Sequence, residues 1–140
     1  MVNNKSKIIL VGGGGHCKSC IDIIETTQQF EIVGIIDLPH SLGSETLGYK
    51  VIGNDDDLPK LAQKGYNFLI TLGHMGNPIL RNEIFEIIKN NGCKFPVIIS
   101  PNAYVSKHAK VADGTIIMHG SIINARAIIG GNCIINTLSV

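Results

Sequence analysis

Residues 105–140 read VSKHAKVADGTIIMHGSIINARAIIGGNCIINTLSV, and a branched aliphatic residue returns at every sixth position of this stretch. The members of the series are Val105, Val111, Ile117, Ile123, Ile129 and Ile135. A small residue follows each of them four places later: Ala109, Thr115, Ser121, Ala127, Cys133 and Ser139. A period of six fits neither a helix of about 3.6 residues per turn nor an alternating strand. It predicts a triangular β-helix with one hexapeptide per face, the aliphatic side chain inside and the small residue beside it.

The chain before this tract alternates strand-like and helix-like segments, which is typical of right-handed βαβ units around a parallel sheet. We predict strands at residues 8–11, 31–37, 67–72 and 95–99, and a short strand at 49–52. Helices are predicted at residues 16–27, after a cap at Asn54 or Asp55, and from Asn77–Pro78 to Gly92. The fold class is therefore α/β. A Rossmann-like parallel-sheet domain (residues 1–100) precedes a short, two-coil left-handed parallel β-helix (residues 101–140).

The composition narrows the choice of partners and compartment. A formal net charge of +1 gives no basic footprint for nucleic acid. No apolar run reaches the roughly 20 residues of a membrane span. The polar N-terminus lacks the layout of a signal peptide. We therefore expect a cytoplasmic protein without a membrane span, whose 4 cysteines are reduced thiols.

Four consecutive glycines, residues 12–15, separate the first predicted strand from the first predicted helix. Glycines let a ligand approach the backbone, and a helix N-terminus offers free N–H groups to phosphate. Asp37 ends the second strand, where the acid of a dinucleotide fold would bind a ribose hydroxyl. Because Cys17 replaces the last glycine of the G-x-G-x-x-G pattern and no dehydrogenase domain follows, we favour a nucleotide-linked ligand over NAD. A tight turn that binds nothing is the alternative.

Residues near this turn are candidates to contact such a ligand. His16 could donate to a phosphate or a sugar, or it could simply face solvent. Gly73 closes the third strand at the carboxyl edge of the sheet, where ligands bind in open α/β folds. His74 and Arg81 follow it and could reach a phosphate or sugar, with a solvated surface position as the alternative. The C-x-x-C motif in the first helix is interpreted as two ordinary thiols, and the scattered His and Cys residues predict no metal site.

The glycine turn followed by hexapeptides gives the chain a resemblance to a known family. It resembles the sugar O- and N-acyltransferases of the sialic acid O-acetyltransferase type (NeuD/PglD-like), within the hexapeptide transferases. The resemblance covers essentially the whole chain. The segments that carry it are KIILVGGGGHCKSCIDII (residues 7–24), IID (35–37), ITLG (70–73), SP (100–101) and IINARAIIGGNCIINTLSV (122–140).

The resemblance implies an acetyl-CoA-dependent acetyltransferase in surface glycan biosynthesis. Its substrate would be a UDP-amino sugar or a sialic acid-type sugar. Acetyl-CoA, the co-substrate, lies between the β-helices of a homotrimer in such families, and a histidine acts as general base on the acceptor amine or hydroxyl. Asp37 would contact the nucleotide. The positions assigned to substrate binding by the resemblance are Gly12, Gly14, Gly15, His16, Asp37 and Gly73.

The sequence departs from the family pattern at its C-terminal end. In the family the run INTxSxIEH leads to the catalytic histidine, whereas this chain reads INTLSV and ends at Val140. Leu138 stands where the family tends to have a smaller residue, and His119 matches no family base and is expected to face outward from the coil. We therefore expect no catalytic residue, no firmly bound cofactor and no transferase activity in these 140 residues.

Two other interpretations stay open. The chain could be a non-catalytic nucleotide-sugar-binding or assembly module, or an NAD-binding protein. Two coils also fall short of the roughly three repeats that a solenoid usually needs, which argues against a trimer formed by this chain.

Overall fold

The N-terminal part of the molecule is a mixed β-sheet between helices. The structure, a computed structural model, describes residues 4–73 and 78–140. Its first elements are β1 (Ser6–Val11), α1 (Gly15–Thr27), β2 (Phe30–Ile36), β3 (Glu45–Thr46), β4 (Tyr49–Gly53), α2 (Leu58–Gln63), β5 (Asn67–Ile70) and α3 (Ile79–Asn90). The strand order is β3-β4-β2-β1-β5, and every pair is parallel except β3 with β4. The predicted α/β class is confirmed, with an antiparallel strand added at one edge.

Strand β1 lies between β2 and β5 in the sheet and contributes side chains to two hydrophobic cores. Its side chains alternate between the faces, as in any strand. Ile8 and Leu10 join a buried cluster with residues of α1, whereas Ile9 and Val11 join a second cluster with residues of α2 and α3. Because both faces are covered, β1 is a continuous apolar run that ends at the glycine turn.

Helix starts and ends largely follow the predicted signals. The Asn54 side chain accepts from the Asp56 amide, and the Asp57 carboxylate accepts from the Asn54 amide, both at 2.9 Å. This capping box makes Asn54 the cap of the 3-10 turn Asp55–Asp57 that leads directly into α2. Helix α3 begins at Ile79 after Pro78, while Asn77 lies outside the described residues. No helix in the described ranges is long and apolar enough to cross a membrane.

The C-terminal part is a parallel β-helix built from two-residue strands. In chain order they are β6 (Ile98–Ile99), β7 (Tyr104–Val105), β8 (Lys110–Val111), β9 (Ile116–Ile117), β10 (Ile122–Ile123), β11 (Ile128–Ile129) and β12 (Ile134–Ile135). Each pairs in parallel with the strand three hexapeptides away, which gives three faces: β6-β9-β12, β7-β10 and β8-β11. The predicted β-helix is confirmed. Ile117 and Thr115 are fully buried, as expected for the aliphatic and the small interior positions.

The predicted fourth strand of the N-terminal sheet, residues 95–99, is wrong. Ile98 and Ile99 pair with β9 and form the first rung of the β-helix. The sheet instead ends in a single bridge between Asn67 and Lys94. The cause is visible in the sequence, because Ile99 lies one hexapeptide before Val105 and opens the same periodic series. The division of the chain into domains at residue 100 remains a prediction.

The sheet and the β-helix share one hydrophobic core. The outer side of the β6-β9-β12 face packs against α1. Ile98, Ile116 and Met118 therefore belong to the same buried cluster as Ile21 and Ile24 of that helix. This contact fixes the coil next to the end of the sheet that carries the glycine turn.

Candidate functional site

The four glycines between β1 and α1 form two pairs with different surroundings. Gly12 has φ +115°, and a Cβ there would lie 2.8 Å from the backbone nitrogen of Leu72. A Cβ at Gly13 would come within 2.8 Å of a carboxylate oxygen. A Cβ at Gly14 or Gly15 would meet nothing within 4 Å. The fold therefore requires the first pair, whereas the second pair faces open space that a ligand could fill.

Hydrogen bonds hold the first half of this turn in place. The Gly12 amide donates to the Ile36 carbonyl at 2.8 Å, and its carbonyl accepts from the Thr71 hydroxyl at 2.6 Å. The Gly13 amide donates to the Asp37 carboxylate at 3.2 Å. The turn is thus anchored to the ends of the neighbouring strands without a ligand.

The N-terminus of α1 presents free donors beyond this anchor. Gly14 is the N-cap residue and supplies no capping side chain, and the first turn contains no acidic residue. The amides of a first helical turn have no partner within the helix, and the helix dipole makes this end positive. Such an end is suited to an anion, and to phosphate in particular.

A cleft of about 980 Å³ lies between this helix end and the last coil of the β-helix. The sheet side is lined by the open glycines, by Gly73 and by α3, and the opposite wall is lined by the chain around β12. A ligand bound here would touch both parts of the molecule. Its lining includes Gly14, Gly15, His16, Gly73, Arg81 and Cys133.

The structure brings together four of the six residues predicted to bind substrate. Gly14, Gly15, His16 and Gly73 line the cleft. The other two, Gly12 and Asp37, line a separate cavity of about 130 Å³ on the other side of the turn. His74, a further candidate, lies outside the described residues. The binding roles of all six remain predictions.

Asp37 has two backbone donors of its own. Beside the Gly13 bond, its Oδ1 accepts from the Leu38 amide at 2.8 Å. The carboxylate therefore shapes the glycine turn in the free protein. Each carboxylate oxygen can accept a second hydrogen bond, so a ribose hydroxyl could still bind there.

His16 is a half-buried imidazole on the cleft wall. Its Nε2 lies 3.3 Å from the Sγ of Cys20. Burial and the positive charge of Arg81 both lower the pKa of His16 below its usual 6.5, with burial as the larger cause. The side chain is therefore neutral at neutral pH and can exchange hydrogen bonds with either ring nitrogen.

The two thiols of the C-x-x-C motif lie on the buried face of α1. Cys17 and Cys20 are both 0% exposed. Burial raises the pKa of Cys17 and raises the pKa of Cys20 to about 12. Both remain protonated, so neither is a reactive thiolate. Within the described residues, no group of three or more His, Cys, Asp or Glu side chains could hold a metal ion.

Arg81 is buried, so the solvated surface position that the sequence left open for it is wrong. Its Nη1 donates to the carbonyls of Ile70 and Leu72, at 2.8 and 3.1 Å, and its Nε donates to the Asn132 carbonyl at 3.1 Å. The guanidinium thus joins the end of β5 to a turn of the β-helix. The sequence carries a signal for this, since Arg81, Ile84 and Ile88 share one face of α3 at helical spacing.

A second link between the two parts was not predicted. His119 is half-buried against α1, although the sequence suggests an outward position. Its Nδ1 lies 2.5 Å from the Ser100 hydroxyl, and its Nε2 lies 3.1 Å from the Asp22 carboxylate. The periodicity places Ser100 and His119 about one coil apart. It gives no sign of which face the helix α1 covers, and therefore none of Asp22.

Comparison with known proteins identifies relatives of both parts. The family described as the PglD N-terminal domain matches residues 7–88, more than half of the chain. PerB from Caulobacter crescentus, in complex with CoA and GDP-perosamine, superimposes with a TM-score of 0.83 at 29% identity. The acetyltransferase domain of PglB from Neisseria gonorrhoeae, in complex with acetyl coenzyme A, superimposes with a TM-score of 0.83 at 26% identity.

The match covers nearly all of this chain but less of the relatives. It includes 95% of this chain and 61% of PerB, and 96% of this chain and 63% of the PglB domain. The chain therefore spans less than two thirds of the length of these solved structures. A perosamine N-acetyltransferase from Caulobacter crescentus in which a histidine is replaced by asparagine matches at 29% identity, with a TM-score of 0.84.

Proposed function

The chain belongs to the PglD N-terminal domain family, and we propose that it binds a nucleotide-linked sugar for acetylation by acetyl-CoA. The cleft between the glycine turn and the β-helix is the observation that carries the proposal. Its sheet wall offers an uncapped helix N-terminus beside glycines that the fold does not need. Its other wall is the last coil of the β-helix, and solved relatives of this chain contain CoA or acetyl-CoA.

The arrangement of the cleft suggests how such a ligand would lie. The diphosphate would bind at the amides after Gly14 and Gly15, where the helix dipole favours negative charge. The nucleoside would extend past the glycine turn toward the separate cavity that Asp37 lines, where the carboxylate can accept a ribose hydroxyl. The sugar would then face His16, Gly73 and the β-helix, where its amine or hydroxyl would meet the acyl donor.

The finer parts of the proposal follow the resemblance of the sequence. They are a UDP-amino sugar or a sialic acid-type sugar as acceptor, acetyl-CoA as co-substrate, a role in surface glycan biosynthesis, a homotrimer and a cytoplasmic location. The general base is not assigned to any residue of this chain. We expect the 140-residue chain by itself to bind the nucleotide sugar without transferring an acetyl group.

Calorimetric titration of the 140-residue chain tests the binding proposal. UDP-N-acetylglucosamine, a GDP-hexose and NAD are compared as ligands. We expect binding of the UDP-sugar, and loss of at least about tenfold in affinity for Gly15→Val, whose side chain would enter the cleft. Ser19→Val adds a side chain of the same size on the exposed side of α1 and should bind like the unaltered chain.

The outcomes separate the candidate functions. Binding of NAD without binding of either nucleotide sugar would replace the proposal by an NAD-binding protein. If the chain bound none of these nucleotides, the remaining interpretation would be an assembly module. Acetyl-CoA turnover by this chain with a UDP-amino sugar would contradict the expectation that it binds the sugar without transferring an acetyl group.

A further inference from the structure

A buried positive charge without a carboxylate partner lies at the floor of the cleft. Arg81 is 6% exposed, and its three hydrogen bonds go to backbone carbonyls. Its Nη2 is buried and has no hydrogen-bond partner among the described residues. Burial lowers the pKa of Arg81, and the groups that oppose this are the thiols Cys20 and Cys133 rather than carboxylates. A buried charge normally has an ionic partner, because desolvation is costly.

The described lining of the cleft contains nothing that neutralises this charge. No Asp or Glu occurs among those lining residues. The N-terminus of α1 adds a second source of positive potential on the same wall. His16, in the first turn of α1, loses its own proton more readily because of Arg81. The cleft is therefore electropositive, with the guanidinium as its only full positive charge in the part of the lining that the structure describes.

We propose that Arg81 is the buried counter-charge for the diphosphate of the bound nucleotide sugar and sets the preference of the cleft for highly charged ligands. This inference rests on the proposed function. The guanidinium would act through space, since its Nη1 and Nε are committed to backbone carbonyls and its Nη2 is enclosed. It is thus a specificity-determining residue that attracts the ligand without needing to touch it.

The effect should grow with the number of phosphate charges on the ligand. A Coulombic attraction scales with the product of the two charges, and a buried charge is weakly screened by salt. The unaltered chain should therefore bind UDP more tightly than UMP, and UMP more tightly than uridine. A purely structural arginine, which only ties β5 to the β-helix, would affect the three ligands equally.

Calorimetry with uridine, UMP, UDP and inorganic pyrophosphate tests the inference. We expect Arg81→Gln to lose at least about tenfold in affinity for UDP and less than about threefold for uridine. Arg81→Lys keeps the charge and should keep the ratio between UDP and uridine. Lys89→Gln removes a positive charge from the exposed side of the same helix and should change neither affinity.

The outcomes distinguish a counter-charge at Arg81 from a purely structural arginine. An equal loss of affinity for all ligands in Arg81→Gln would overturn the inference, as would equal binding of UDP and uridine by the unaltered chain. If the glutamine variant does not melt cooperatively, a folded Arg81→Lys chain that loses the ratio would also overturn it. Arg81-dependent binding of pyrophosphate without binding of any nucleotide would support this inference while refuting the proposed function.

Discussion

At the scale of single residues, the cleft combines glycines that leave open space with a buried positive charge that has no carboxylate partner. Gly14 and Gly15 could carry a side chain without a clash, yet they are glycine at a helix N-terminus. Arg81 is buried without a carboxylate, and His16 is half-buried with a pKa lowered by burial and by that arginine. These features all favour an anion in the cleft. An anion would fill the space beside the glycines and would balance the charge of the arginine.

The lowered pKa of His16 predicts a pH dependence of stability. The pKa of this imidazole is lower in the folded chain than its usual 6.5, so the unfolded chain binds more protons as the pH falls through that value. The free energy of unfolding should therefore fall as the pH is lowered through about 6.5. The contribution should stay below about 1 kcal/mol, because the side chain is partly solvated. Chemical denaturation should show this slope reduced in His16→Gln and retained in His108→Gln, a change at an exposed β-helix histidine.

Ligand binding should show the opposite pH dependence. A diphosphate near His16 stabilises its protonated form, so binding should take up a proton and strengthen as the pH falls below about 6.5. UDP-N-acetylglucosamine is a suitable probe, since its phosphates are diesters with no proton to lose near neutral pH. A pH-independent affinity, or one that weakens in acid, would show that the diphosphate does not bind close enough to His16 to stabilise its protonated form.

At the scale of elements, the position of the β-helix depends on side chains at its corners. The Ser100 hydroxyl accepts from the Asn102 amide at 3.0 Å and bonds His119, which reaches Asp22 on α1. Six residues later, Ser106 accepts from the His108 amide at 3.1 Å in the same way. The two serines thus make the same corner bond, and of the two, Ser100 alone also bonds an imidazole in the described part of the chain.

This pair of corners allows the junction to be measured. We expect Ser100→Ala to lower the free energy of unfolding by about 2 kcal/mol and Ser106→Ala by about 1 kcal/mol. The difference comes from the bond that ties the coil to His119. Asp22→Asn should cost less than about 1 kcal/mol, because Asp22 is 68% exposed. Equal losses for the two serine variants in urea denaturation would show that the imidazole link adds nothing to stability.

At the scale of the whole molecule, periodicity revealed the elements but not their packing. The hexapeptide series predicted the β-helix, and the glycine turn with its flanking strands predicted the α/β sheet. Residues 98–99 fit both interpretations, because they end an apolar run that resembles a further strand of the sheet and Ile99 is also the first member of the hexapeptide series. The cleft could not be derived either, since residues such as Asn132 and Cys133 join it only when α1 and α3 cover particular faces of the coil. Such contacts between distant segments leave no local pattern.

The shared core predicts that the two parts lose stability together. Ile116 lies on a β-helix strand, is 0% exposed and belongs to the same cluster as the core residues of α1. Ile116→Ala should lower the free energy of unfolding by about 2–5 kcal/mol, the usual cost of a cavity at a buried isoleucine. Ile128 occupies the matching position of another face, is 78% exposed, and its replacement by alanine should cost less than about 0.5 kcal/mol.

Native-state hydrogen exchange should show faster exchange in Ile116→Ala for the amides of β1 as well as those of β9, because one cooperative unit contains both. If protection fell in the β-helix while β1 kept its original rates, the sheet would be a separate folding unit, and the cleft would have to be held by the contacts of Arg81 and His119.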